Sequence, residues 1–151
     1  MYHKMSKSDN KCIGIISENH IITLLEKLSG MDCLHHINGS YDLTWNSLPI
    51  EVKSAQICRT GSAPSHSPRR NYHGFSTYKR QLSSLIRKNG YFAFVLMLGR
   101  EPLVVRFIKA PDTKPYLISY GKKLRISLSI LYSGLSPDQF VEEHLLDRYL
   151  T

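Results

Sequence analysis

The run "YFAFVLML", residues 91–98, constrains this chain more than any other feature. It is far too short to cross a bilayer, which takes about 20 apolar residues. Side chains alternate between the two faces of a strand, so a strand that is apolar at every position must be covered on both. Gly90 before it and Gly99 after it mark its ends. The fold must therefore place this strand inside a sheet that is covered on each side. A chain of 151 residues suffices for one such domain with a single core.

The neighbouring segments supply the cover. Ile15, Glu18, Ile22 and Leu25 fall at spacings of three, four and three. That spacing predicts a helix over about 17–28 carrying all four on one apolar face, ended by Ser29-Gly30. Strands are predicted at 33–37, 41–45 and 49–57, with "NGS" and "NSLP" as the turns between them. Residues 59–74 are rich in Gly, Ser, Pro and Arg and read as a long loop. A second helix follows, with Ser76 as N-cap, Gly90 beyond its end, and Tyr78, Leu82, Leu85 and Ile86 as its apolar stripe. Residues 103–108 form a hairpin with the apolar run, turning at Gly99-Arg100. The stretch 125–131 reads as a late strand or a short helix. Ser136, Pro137 and Gln139 open the last helix with a capping-box pattern. The expected class is α/β: a single domain with a central mixed β-sheet flanked by helices.

Charge narrows the function. The chain has 20 Lys+Arg against 12 Asp+Glu, a formal net charge of +8. Between Glu51 and Glu101 there is no acidic residue, while Lys53, Arg59, Arg69, Arg70, Lys79, Arg80, Arg87, Lys88 and Arg100 all lie there. Such a block attracts polyanions by neutralising phosphates and releasing counterions. Its absence of compensating acids favours nucleic acid over a merely solvated face. No basic amphipathic helix accompanies it, so a membrane surface is not expected. Cys12, Cys33 and Cys58 are too few for a disulfide framework and, with His20, His35 and His36, lack zinc-ligand spacing. With a polar, basic N-terminus and no export signal, an intracellular protein of cytoplasm or nucleoid is expected.

"SYDLTWNSLPIEVKSAQ", residues 40–56, holds the chemistry. In its second strand Ile50 and Val52 share one face, and Glu51 and Lys53 share the other. In its first, Tyr41, Leu43 and Trp45 share a face, with Asp42 and Thr44 opposite. Paired as a hairpin, the strands bring Asp42, Glu51 and Lys53 together, and Glu18 can join from a helix packed there. Carboxylates without Cys or His partners form a hard oxygen site suited to Mg²⁺ or Mn²⁺. An adjacent ammonium can orient a water or stabilise a phosphorane.

The residues Asp42, then Glu51-Val52-Lys53, with Glu18 on a preceding helix, resemble the PD-(D/E)XK nuclease superfamily, which includes restriction enzymes, small homing endonucleases and archaeal Holliday junction resolvases. The resemblance spans about residues 14–108, and Tyr41 stands where the superfamily often has proline. It implies a restriction-endonuclease-like fold and Mg²⁺-dependent hydrolysis of DNA, leaving 5′-phosphate and 3′-hydroxyl ends, with Mn²⁺ able to substitute. Asp42, Glu51 and the Val52 carbonyl would hold the metal. Lys53 would orient water, Glu18 would support a second metal or its waters, and Gln81 is the polar residue on the following helix that fits the site. Arg59, Arg69, Arg70, Tyr72, Lys79 and Arg80 would contact DNA, with Phe75 also available for base stacking. Residues 1–13 read as a basic N-terminal segment and 14–151 as one nuclease domain, with 136–150 its C-terminal helix. The expected substrate is double-stranded or branched DNA, and cutting both strands calls for a homodimer or higher homo-oligomer. A site-specific enzyme of homing or restriction type is favoured by the Arg-bearing loop. A junction resolvase or a catalytically silent DNA-binding module are the alternatives.

Overall fold

The computed structural model describes residues 7–37, 39, 41–57 and 74–150. Helix α1 (Lys7–Ser29) leads into a hairpin of β1 (Cys33–His35) and β2 (Leu43–Trp45), followed by β3 (Leu48–Gln56). After β4 (Gly74–Tyr78) and α2 (Lys79–Arg87) come β5 (Tyr91–Leu98), β6 (Glu101–Lys109), β7 (Leu117–Tyr120), β8 (Lys123–Ser127) and α3 (Pro137–Leu150). Five strands form a mixed sheet in the order β1-β2-β3-β5-β6, with β5 parallel to β3 and antiparallel to β6.

The apolar strand β5 is interior, and both its faces are covered. Ala93, Val95 and Met97 point with Ile50 and Val52 into a core closed by Ile13, Ile21 and Leu25 of α1 and by Phe140 and Val141 of α3. Phe92 and Phe94 point the other way, onto Phe75, Leu85, Ile126 and Ile130. That second layer contains a three-stranded antiparallel sheet, β4-β8-β7, which sequence reading did not anticipate.

Several expected elements are corrected. Helix α1 begins at Lys7 rather than near Ser17. Its buried stripe is Ile13, Ser17, Ile21 and Leu25, while Ile15 is 49% exposed, so Glu18 lies at the margin of the apolar face and not within it. Ser76 is no helix cap: it lies exposed in the middle of β4, and Tyr78 is the N-cap of α2. The partner of β4 is β8, far along the chain, so no local pattern announces the strand. The stretch 125–131 is both things it could be, the end of β8 and then a 3-10 turn from Leu128 to Tyr132.

Two local features fix the geometry around the hairpin. Asn46 and Ser47 both have positive φ, 50° and 63°, as a two-residue turn matched to strand twist requires. The pairs Trp45↔Leu48 and Leu43↔Ile50 follow from that turn. At Gly90, between α2 and β5, an added Cβ would lie 2.4 Å from Leu85 Cδ1 and 2.9 Å from the Pro49 carbonyl oxygen. Only glycine lets α2 close this tightly onto β3. The α3 capping box forms as its sequence predicts, Ser136 N–H donating to Gln139 Oε1 at 3.0 Å and Gln139 N–H to Ser136 Oγ at 3.3 Å. Among the described residues no helix is long and apolar enough to cross a membrane.

Candidate active site

The alternation of β3 separates apolar from charged side chains within four residues. Ile50 and Val52 enter the helix-covered core, and Glu51 and Lys53 face the layer that holds β4 and α2. Glu51 is nevertheless only 6% exposed. Asp42 lies one residue before β2 and extends its pairing: its N–H donates to the Ile50 carbonyl at 3.1 Å, and its Oδ2 accepts from the Val52 N–H at 2.8 Å. This sets Asp42 opposite Glu51. Because residue 41 precedes the strand, parity does not carry back to it. Tyr41 packs in the second core, on the opposite face from Leu43 and Trp45, contrary to the sequence expectation.

Lys53 Nζ lies 3.8 Å from Glu51 Oε1 and donates to Gln81 Oε1 at 3.2 Å. The same Gln81 oxygen accepts from Thr77 Oγ1 at 3.1 Å and from the Tyr78 N–H at 3.3 Å. Gln81 thus closes the first turn of α2 and fixes the ammonium with one atom. Thr77 is buried, and no local sequence signal marks its part in this network, because β4 exists through pairing with the distant β8.

Glu18 reaches the group from α1. It pairs with His35 Nε2 at 2.9 Å and lies near enough to Asp42 to feel its charge. Burial and the Asp42 charge raise its pKa, against the opposing effect of His35. The His35 contact was not foreseen, since His35 reads simply as a residue of a half-buried strand. For Glu51, burial first, then a hydrogen bond and like charge from Asp42, push the pKa up to about 9, despite Lys53. Removal from water and a neighbouring like charge both disfavour the ionised form of the Glu51 carboxyl.

The other expected residues fall outside this group. Lys79 and Arg80 are exposed at the start of α2, beside Gln81. Phe75, considered for base stacking, is fully buried and packs on Phe94 with ring centroids 4.7 Å apart, so it is a core residue. Arg59, Arg69, Arg70 and Tyr72 lie outside the described residues.

Among the described residues no group of three or more His, Cys, Asp and Glu is arranged to close around a metal ion. A magnesium site does not need one: Mg²⁺ commonly takes one or two carboxylates and completes its shell with water and phosphate oxygens. Asp42 and Glu51 fit that donor set. Both offer hard oxygen donors, they face each other, and the raised pKa of Glu51 is a cost that a divalent cation there would relieve.

No protein-family model matches the chain, and no curated protein matches it. The fold does have a relative among solved structures. With its mixed sheet between helices it is restriction-endonuclease-like. A Holliday junction resolvase of the archaeal hyperthermophile Archaeoglobus fulgidus superposes with a TM-score of 0.55 at 17% identity, over 85% of this chain and 95% of the resolvase.

Proposed function

We propose that this protein is a divalent-metal-dependent DNA endonuclease with Asp42, Glu51, Lys53, Gln81 and Glu18 as its active site. The observation that carries the reading is Glu51: a carboxylate 6% exposed, set against a second carboxylate, with a lysine anchored beside it. As a structural arrangement alone it is costly, because it buries like charges. At a phosphate, with a cation, it is useful.

Asp42 and Glu51, with the Val52 carbonyl, would hold Mg²⁺ or Mn²⁺. When bound, the metal supplies charge neutralisation at the scissile phosphate and lowers the pKa of a coordinated water. The chain's own residues do the rest. Gln81 holds Lys53 beside Glu51, where its ammonium would orient the attacking water or stabilise the oxygens of the phosphorane. Glu18, steadied by His35, accepts hydrogen bonds from water in the same space. Hydrolysis forms a bond from water oxygen to phosphorus and breaks the bond to O3′. One water proton passes to O3′, leaving 5′-phosphate and 3′-hydroxyl ends. Lys79 and Arg80, exposed beside Gln81, are suited to flanking phosphates, and the side-chain chemistry of Arg59, Arg69, Arg70 and Tyr72 suits groove and backbone contacts. One such site cuts one strand, so a symmetric homodimer is the expected working form.

The likeness to a junction resolvase favours branched DNA as the substrate class. A site-specific activity of homing or restriction type is the second reading, supported by the Arg-rich composition of the sequence at 59–73. The test is cleavage of a synthetic four-way junction and of supercoiled plasmid with Mg²⁺, beside Glu51→Ala and Lys53→Ala. Cleavage by the wild type alone, with both variants still binding, is the expected result. Wild-type binding without cleavage of these DNAs or of a random-site library would leave the silent binding module as the better account.

A further inference from the structure

The three-stranded sheet has an inner face in the second core and an outer face of different composition. Across the outer face, register aligns Tyr78, Lys123 and Tyr120 in one row and Ser76, Arg125 and Ile118 in the next. Tyr78 is 45% and Tyr120 48% exposed. The Lys123 ammonium sits 5.2 Å from the Tyr78 ring centroid, and the Arg125 guanidinium 4.6 Å from that of Tyr120. Gly74, Ser76, Tyr120, Lys123 and Arg125 line a concavity of about 270 Å³ on this face. None of the residues of β4, β7 and β8 is acidic. Isolated exposed aromatics are ordinary. Here two rings are each braced by a cation on one acid-free sheet face.

We propose that the outer face of the β4-β8-β7 sheet is a platform for an unpaired nucleic-acid strand, with bases stacking on Tyr78 and Tyr120 and phosphates held by Lys123 and Arg125. Base–aromatic stacking tolerates any sequence, because every base has a π-face, and neighbouring cations follow the backbone. A duplex suits the face less well, because its bases are stacked on one another and offer only edges and phosphates. The platform adjoins the candidate active site: Tyr78 is the N-cap of the helix whose Gln81 holds Lys53. The proposal rests on the DNA-acting reading for its choice of polyanion and is independent of cleavage.

The experiment is fluorescence anisotropy with the full chain in EDTA, using a labelled oligothymidine and a duplex of the same length. Tyr120→Ala is expected to weaken single-strand binding about fivefold or more, as loss of one stacked base implies, with little change for the duplex. Tyr120→Phe, which keeps the ring, is expected to bind as the wild type does. Lys123→Gln and Arg125→Gln should each flatten the salt dependence of single-strand binding by about 0.7 in log–log slope. Unchanged affinity in Tyr120→Ala, equal losses on duplex and single strand, or a Phe variant as weak as the Ala variant would each overturn the platform. Glu51→Ala is expected to bind the oligonucleotide normally, so loss of cleavage and loss of the platform are read separately.

Discussion

Ile50 and Glu51 are adjacent in β3 and almost equally buried, at 0% and 6% exposure, yet they stand on opposite sides of an energetic divide. Ile50 enters a core with Leu43, Trp45, Val95 and Phe140, where removal from water stabilises the fold. Glu51 is removed from water beside Asp42, where burial penalises the charged form. Equal burial therefore carries opposite meanings. One face of the strand holds the protein together, and the other carries the charges on which the proposed active site rests.

Substitutions can break or sharpen that contrast. The largest effect is expected from Glu51→Gln, which should lower metal-dependent cleavage by roughly 10³-fold, about 4 kcal/mol of barrier, without unfolding the protein. Single-turnover cleavage beside circular dichroism checks this, and a variant that cuts normally would remove Glu51 from the site. Next comes Ile50→Ala, which should cost about 2–5 kcal/mol in urea unfolding as a core truncation. Loss of activity there should track loss of fold.

Third is the pH dependence of the metal-free protein. Burial, with Asp42 beside it, pushes the Glu51 carboxyl in the folded protein from its ordinary 4.5 up to about 9. Its proton is thus held more tightly in the folded state, so its contribution to stability is full below pH 4.5 and is lost as pH rises toward 9. Thermal unfolding in EDTA should show that decline, and Glu51→Gln should flatten it. At pH 8 the variant should melt higher, by roughly 2–4 °C for each kcal/mol of burial cost relieved. Mg²⁺ should narrow the gap by stabilising the wild type selectively. The smallest effect is expected for Gln81→Ala, which leaves Lys53 in place but less constrained. A loss of about tenfold in kcat with KM little changed would mark it as a positioning residue.

How much of this was legible in the sequence follows from how local each signal is. The alternation of Ile50, Glu51, Val52 and Lys53 could be read because β3 is a continuous strand, in which parity holds residue by residue. The α3 cap could be read because Ser136 and Gln139 satisfy each other across three residues. Strand parity misplaces Tyr41 because it lies before the start of β2, where alternation no longer holds. The spacing of Ile15, Ile22 and Leu25 misplaces Glu18 on its helix, because Ile15 is exposed and the α1 stripe runs through Ile13 and Ser17. Strand β4, and with it Thr77 and the platform, exists through pairing with β8, which no local window contains. Likewise, His35 meets Glu18 only when the hairpin packs on α1.

The turn at Asn46-Ser47 has a consequence for how chains of this kind diverge. Trp45 and Leu48 close the turn, and Asp42 stands as far before Trp45 as Glu51 stands after Leu48. Residues gained within the loop lengthen the gap between the two acids and leave them facing each other, provided the closing pair survives. A single residue gained in one arm turns one acid to the far side of the sheet. The inherited quantity is therefore the equality of the two arms rather than the gap itself, and a motif written as a fixed spacing will overlook descendants that have kept the site.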